Sequence, residues 1–207
     1  MNTQTLINWI TRCRDTLEEN KDYLTDLDRE IGDGDHGVNM ARGFKKAAEK
    51  LETLDPSKTS PANVLKTVGM TLLSSIGGAS GPLYGTFFIK AAQVAGDKSD
   101  LEIADIAKIF RAGTDGLIAR GKASGGDKTM VDVWLPVCAE LEETQLDLAM
   151  ALSSAAETAE QAMTATVPMQ AKKGRASYLG ERSIGHIDPG AASSYLIIQA
   201  LSEVSNG

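Results

Sequence analysis

Along most of the chain apolar residues recur every three or four positions, and strand-like alternation of β-branched and polar residues is hard to find. Val64, Leu65, Val68 and Leu72 illustrate the pattern; at 3.6 residues per turn they share one helical face. Similar runs predict helices near residues 3 to 20, 38 to 52, 61 to 75, 82 to 95, 102 to 120, 129 to 143, 147 to 165 and 189 to 204. Ser60-Pro61 and Asp188-Pro189 each pair an N-cap residue with proline at the first helical position, which sets two of these starts. Ala, Leu, Glu and Lys dominate the long segments and aromatic residues are 5%. The expectation is an all-α fold, an antiparallel bundle of about eight amphipathic helices.

The composition narrows this to one domain over residues 1–207. A chain of 207 residues, 42% hydrophobic and 24% charged, supports one sizeable core and is short for two. A formal charge of −7 argues against nucleic acid or an anionic membrane surface as the main partner. No cationic, apolar leader opens the chain and no apolar run is long enough to span a bilayer, so a soluble, cytoplasmic protein is expected. Cys13 and Cys138 are far apart and lack CxxC spacing, which suits buried thiols better than a disulfide or zinc site.

The chemistry concentrates where the helical pattern breaks. Asp28, Asp33 and Asp35 fall within eight residues, beside His36 and among glycines. Acidic clusters are often only solvated loops. Here the cluster leads straight into an apolar-periodic run through Val38, Phe44, Ala47, Ala48 and Leu51, so it stands where a helix begins and anions are favoured. Oxygen donors suit Mg²⁺ or Ca²⁺ rather than zinc. An EF-hand is excluded: counted from Asp33, the sixth and twelfth loop positions hold Val38 and Phe44 where Gly and Glu are needed. The reading is a Mg-phosphate site.

Three glycine-rich breaks follow. Ser74 to Pro82 could bring backbone amides and the hydroxyls of Ser74, Ser75 and Ser80 close to an anion, although alone it reads as a turn between helices. No P-loop is present. Arg120 to Thr129 reads as an ordinary flexible loop. The third break, Ala171 to Gly190, is long for a bundle connection and gathers Lys172, Lys173, Arg175 and Arg182 in an acidic chain. His36 and His186 are the only histidines, and His36 carries more interest because of its acidic neighbours.

Four segments taken together, DREIGDGDHGVNM, GMTLLSSIGGASGPLYGTFF, RGKASGGDKTMVDVW and KKGRASYLGERSIGHIDPGA, resemble the L-subunit family of bacterial dihydroxyacetone kinases, most closely its phosphotransferase-system type. The resemblance runs through nearly the whole chain. It implies a barrel of eight antiparallel amphipathic helices with ADP capping one end. It also implies that Asp28, Asp33 and Asp35 ligate two Mg²⁺ ions bridging the phosphates of ADP or ATP, and that His36, Gly37, Val38 and Asn39 line the nucleotide. Ala79 and Ser80 match the family's phosphate loop, Gly121 and Met130 match positions around base and ribose, and Asp188, Pro189 and Gly190 match a further contact. Arg175 matches an arginine directed at the transferred phosphoryl group, the one catalytic residue implied.

The implied reaction is phosphoryl transfer to dihydroxyacetone held covalently by a separate K subunit. ADP would stay bound and be rephosphorylated in place by a phosphohistidine of an M subunit. The family also implies a side role in binding a transcriptional activator, and a homodimer is left open. Two alternatives remain at this point: an ATP-exchanging relative, such as the nucleotide domain of ATP-dependent dihydroxyacetone kinases or of a fatty acid kinase, and a nucleotide-sensing interaction module.

Overall fold

The structure, a computed structural model, describes residues 1–206. Among them are nine α-helices: α1 (Thr3–Glu19), α2 (Lys21–Ile31), α3 (His36–Leu51), α4 (Pro61–Ser75), α5 (Ser80–Ala95), α6 (Ile103–Gly121), α7 (Val131–Glu143), α8 (Leu148–Ala165) and α9 (Pro189–Ser205). Two 3₁₀ segments, Pro56–Lys58 and Arg175–Ser183, lie in connections. The fold is all-α, and no strand occurs among the described residues. No helix among them is long and apolar enough to cross a membrane.

Capping follows the local sequence. Ser60 and Asp188 each accept a hydrogen bond from the backbone two or three residues into the helix, with proline at the first position. Glu102 and Asp105 form a reciprocal capping box at the start of α6.

One expected helix count is corrected. The chain turns at Asn20, whose backbone and side-chain N–H groups both donate to Thr16 O, and then enters α2, which the periodicity does not announce. Helix α2 buries only Leu24, Thr25, Asp28 and Ile31. Two of these four are polar, so the inward stripe does not read as hydrophobic. The acidic cluster is accordingly not all loop: Asp28 stands in the last turn of α2, while Asp33 and Asp35 occupy the short link to α3.

Consecutive helices from α3 to α9 contact one another, and α1 contacts both α3 and α9, so the succession returns to its start. Inside it Trp9, Phe44, Phe87, Phe88, Phe110 and Trp134 are buried. Phe87 and Trp134 lie closest, with ring centroids 4.3 Å apart, and Phe88 bridges Trp9 to Phe44. Most of the few aromatic side chains are thus spent on one continuous core, where tilted and edge-on contacts add to apolar burial. Helices α4 and α5 meet at back-to-back glycines: a Cβ on Gly69 would stand 2.9 Å from Gly85 O.

Candidate functional site

One end of the helix assembly holds a cleft of about 380 Å³. Four places distant in sequence meet there. The α2–α3 link brings Asp28, Asp33, Asp35 and His36; the α4–α5 link brings Gly77 to Ser80; the segment from α6 into α7 brings Arg120 to Val131; and the connection into α9 brings Lys173 to Ala176 and Asp188 to Gly190. Ile31, Leu83, Leu117, Ala123, Met130 and Val131 supply an apolar wall beside these polar groups. That division suits a ligand with a flat apolar ring and a charged tail.

Carboxylate oxygens of Asp28, Asp33 and Asp35 all lie within 4.8 Å of one another. Asp28 is buried and firmly oriented: its Oδ2 accepts from the amides of Asp35 at 2.9 Å and His36 at 3.1 Å. Gly32 leaves room for it, since a Cβ there would stand 2.0 Å from Asp28 Oδ1. Asp33 and Asp35 remain exposed to the cleft. A buried, oriented carboxylate flanked by two open ones, all hard oxygen donors, fits Mg²⁺ that shares its coordination with phosphate oxygens.

The helix start expected to receive an anion is partly taken. Two amides at the α2–α3 link already serve Asp28, which leaves fewer at the start of α3 for an anion. Helix α5 is better placed: it begins at Ser80, after Gly78 has turned the chain at φ +65°, and its first-turn amides face no intrahelical acceptor. Ser80 Oγ is 3.1 Å from His36 Nδ1. Ser74 and Ser75 are not in the cleft; Ser74 Oγ donates back to Met70 O and Thr71 O within α4.

His36 is buried and bonded at both nitrogens, with Nε2 2.9 Å from Ser193 Oγ. Ser193 Oγ in turn lies 2.9 Å from the hydroxyl of Tyr84. Burial pulls the His36 imidazole down to about 4, against the opposing pull of Asp28 and Asp35, so at neutral pH it is an uncharged orienting group. Burial pushes Asp188 up to about 7, although its carboxylate accepts from Ala191 N and caps α9. The same burial raises the Tyr84 phenol above its ordinary value.

Of the residues the sequence pointed to, Asp28, Asp33, Asp35, His36, Ala79, Ser80, Gly121, Met130, Arg175, Asp188, Pro189 and Gly190 all line this cleft. Gly37, Val38 and Asn39 do not. Helical rotation carries the first two away, since Gly37 packs on Lys21 O and Thr25 and Val38 is 47% exposed; Asn39, nearly in line with His36, stands behind the cleft-lining Gly77, and its Oδ1 accepts from Arg42 Nη2 at 2.5 Å. Lys128 was missed. It is 1% exposed, borders the cleft, and sits in the loop that reads as ordinary.

A cleft of this make-up fits a nucleotide together with a divalent cation. Residues 30–203 match the DAK2 domain family, and the chain belongs to it. Among similar proteins, the ADP-binding subunit of the PEP-dependent dihydroxyacetone kinase of Escherichia coli is 54% identical, over 95% of this chain and 94% of that one. An ADP-binding subunit of a PEP-dependent dihydroxyacetone kinase of Listeria innocua is 44% identical, over 96% of each chain. The triokinase/FMN cyclase of Homo sapiens is 36% identical over 94% of this chain, which spans only 34% of that larger protein. The crystal structure of the dihydroxyacetone kinase of C. freundii in its native form superposes with a TM-score of 0.74 at 25% identity, covering 96% of this chain and 34% of that one.

Proposed function

We propose that this chain is the nucleotide-bearing subunit of a dihydroxyacetone kinase. It would act on dihydroxyacetone held by a separate K subunit and be recharged by the phosphohistidine of an M subunit, in the cytoplasm. The observation that carries the reading is the convergence, on one cleft, of the acidic triplet, the amide-rich start of α5 and Arg175. The similarity to ADP-binding subunits over nearly full length supports it.

Asp28, Asp33 and Asp35 would hold Mg²⁺, two ions in this reading, which supplies charge neutralisation for a diphosphate or triphosphate. The start of α5 offers amides to phosphate oxygens, and Ser80 is held in place by His36. The apolar wall from Leu83, Leu117 and Met130 accepts the adenine ring and excludes water from one side of the site. Phosphoryl transfer asks little covalent work of protein groups and much positioning and electrostatics. Arg175, exposed at the edge of the cleft, would meet that need by directing its guanidinium toward the transferred group.

The test is to denature the purified protein and measure released adenine nucleotide and magnesium. Stoichiometric ADP with two magnesium ions is expected; protein free of both, and unable to take them up, rejects the reading. A second reading is the exchange of free ATP in each cycle. Bound ADP that survives purification and resists added ATP decides against exchange.

A further inference from the structure

Lys128 is the largest charged side chain in the interior, at 1% exposure. Among the described residues no carboxylate lies within hydrogen-bonding reach of its ammonium. Instead Nζ meets four backbone carbonyls: Thr166 O at 2.9 Å, Val167 O at 3.4 Å, Met169 O at 3.1 Å and His186 O at 2.5 Å. An ammonium has three protons, so none is left for a nucleotide phosphate. Lys128 is not a phosphate ligand, despite bordering the cleft.

The four carbonyls come from the two feet of one loop. Thr166, Val167 and Met169 lie where the chain leaves α8, and His186 lies two residues before the cap of α9. Between these feet runs the 3₁₀ segment Arg175–Ser183, which carries Arg175. Other bonds close the same base: Gly185 N donates to Val167 O at 2.8 Å, and Asp188 N to Thr166 Oγ1 at 3.1 Å. The neighbouring Asp127 adds a third fastening, since its carbonyl accepts from Lys172 N at 3.0 Å.

The loop that presents Lys128 is itself fixed. Asp132 accepts from Gly126 N and Thr129 N, and Asp127 from Ser124 N. Lys128 adopts φ +60°, a left-handed conformation that is unfavourable for a non-glycine residue. A sequence that needed only a turn here would be served better by glycine. Lysine at this position makes sense if its ammonium is what the site requires.

We infer that Lys128 is a positioning residue that clasps both feet of the 166–187 connection and thereby holds Arg175 at the mouth of the cleft. The inference rests on the proposed kinase function for its catalytic consequence, while the clasp itself is a statement about loop order. A buried ammonium serves this better than an apolar side chain: it bonds several carbonyls at once, and each carbonyl left unmet in that interior would be destabilising.

The test is Lys128→Ala, with Lys128→Met as a second variant that keeps the stem and loses only the ammonium. Two measurements are made on the full chain. Amide hydrogen exchange over residues 170–186 should speed up at least tenfold in both variants, with α1 and α3 to α6 unchanged. Single-turnover phosphoryl transfer, measured with the dihydroxyacetone-binding subunit, should fall at least tenfold more than nucleotide affinity does. In the alanine variant propylammonium, which replaces the missing atoms, should restore part of both properties, and the neutral isostere 1-propanol should not.

Unchanged exchange over 170–186 in both variants overturns the clasp. So does transfer that falls only in proportion to nucleotide binding, or equal rescue by amine and alcohol. If the wild-type protein transfers no phosphoryl group, the kinase reading fails, and the exchange measurement still decides whether Lys128 orders the loop.

Discussion

Arg175 Nη2 lies 3.0 Å from Asp33 Oδ2, which ties the basic connection before α9 to the acidic link before α3 across the cleft. Both side chains are substantially exposed, so as a stabilising contact the pair is worth little, about 0–1 kcal/mol. Its meaning lies in position. A guanidinium rests beside a carboxylate that would otherwise serve a divalent ion, and a bound ion with its phosphates offers each of the two a stronger partner.

Arg175→Ala should therefore leave the thermal midpoint nearly unchanged and nucleotide still bound. If the guanidinium acts on the transferred group, the single-turnover rate falls by roughly three to five orders of magnitude. Equal rates in wild type and variant remove the catalytic role and leave Arg175 as a surface ion-pair partner only.

Asp28 offers a different kind of test because it is both buried and oriented. In Asp28→Asn the amide oxygen can still accept from Asp35 N and His36 N, so the α2–α3 turn survives while one negative charge is lost. Magnesium affinity, read from nucleotide retention as magnesium is titrated, should weaken by more than about tenfold, since ligand charge sets the affinity of such sites. The far-ultraviolet circular dichroism should not move. Wild-type magnesium dependence in this variant refutes the metal assignment.

Gly32→Ala asks the same question without touching a ligand. Gly32 lies at φ −140°, ψ −140°, off the usual β region yet at negative φ, and its Cβ would stand 2.0 Å from Asp28 Oδ1 and 3.0 Å from Asp28 O. The carboxylate must turn away. The expectation is a loss of magnesium-dependent retention approaching that of Asp28→Asn, with a modest stability change. A variant that binds magnesium as wild type does would show that the orientation of Asp28 does not matter.

The physical basis of these tests was only partly legible in the sequence. Helices such as α4 present wide apolar stripes, and local periodicity suffices to find them. Helix α2 does not, because Thr25 and Asp28 occupy half of its inward face. The residue that makes α2 hard to see is the one α2 exists to place. Contiguity misled in the other direction at α3: His36 enters the cleft, yet a helix rotates about 100° per residue, so Gly37 and Val38 turn elsewhere. Lys128 was invisible for a third reason. A lysine in a polar, glycine-rich loop reads as solvated, and the carbonyls that enclose it lie 38 to 58 residues further on.

His36 and Asp188 give the unliganded protein a pH signature with two opposing parts. Burial holds His36 down at about 4, against an ordinary value of 6.5. As pH falls between those values the unfolded chain takes up a proton that the native state refuses, so this group makes stability fall with acidification. Asp188 behaves oppositely, because its native value is up at about 7 against 3.8. As pH falls through that window the native state binds the proton first, and stability rises. The contributions are on the order of 3 kcal/mol for His36 and 4 kcal/mol for Asp188 across their windows, and they largely offset one another in the wild type between pH 4.5 and 6.5. Removing one should expose the other. In urea unfolding with chelator present, His36→Asn should become more stable relative to wild type as pH is lowered, and Asp188→Asn less stable. The asparagine at 188 can still cap α9, so its slope reports the lost titration rather than a lost cap. Parallel profiles for all three proteins would show that neither group titrates where its surroundings place it.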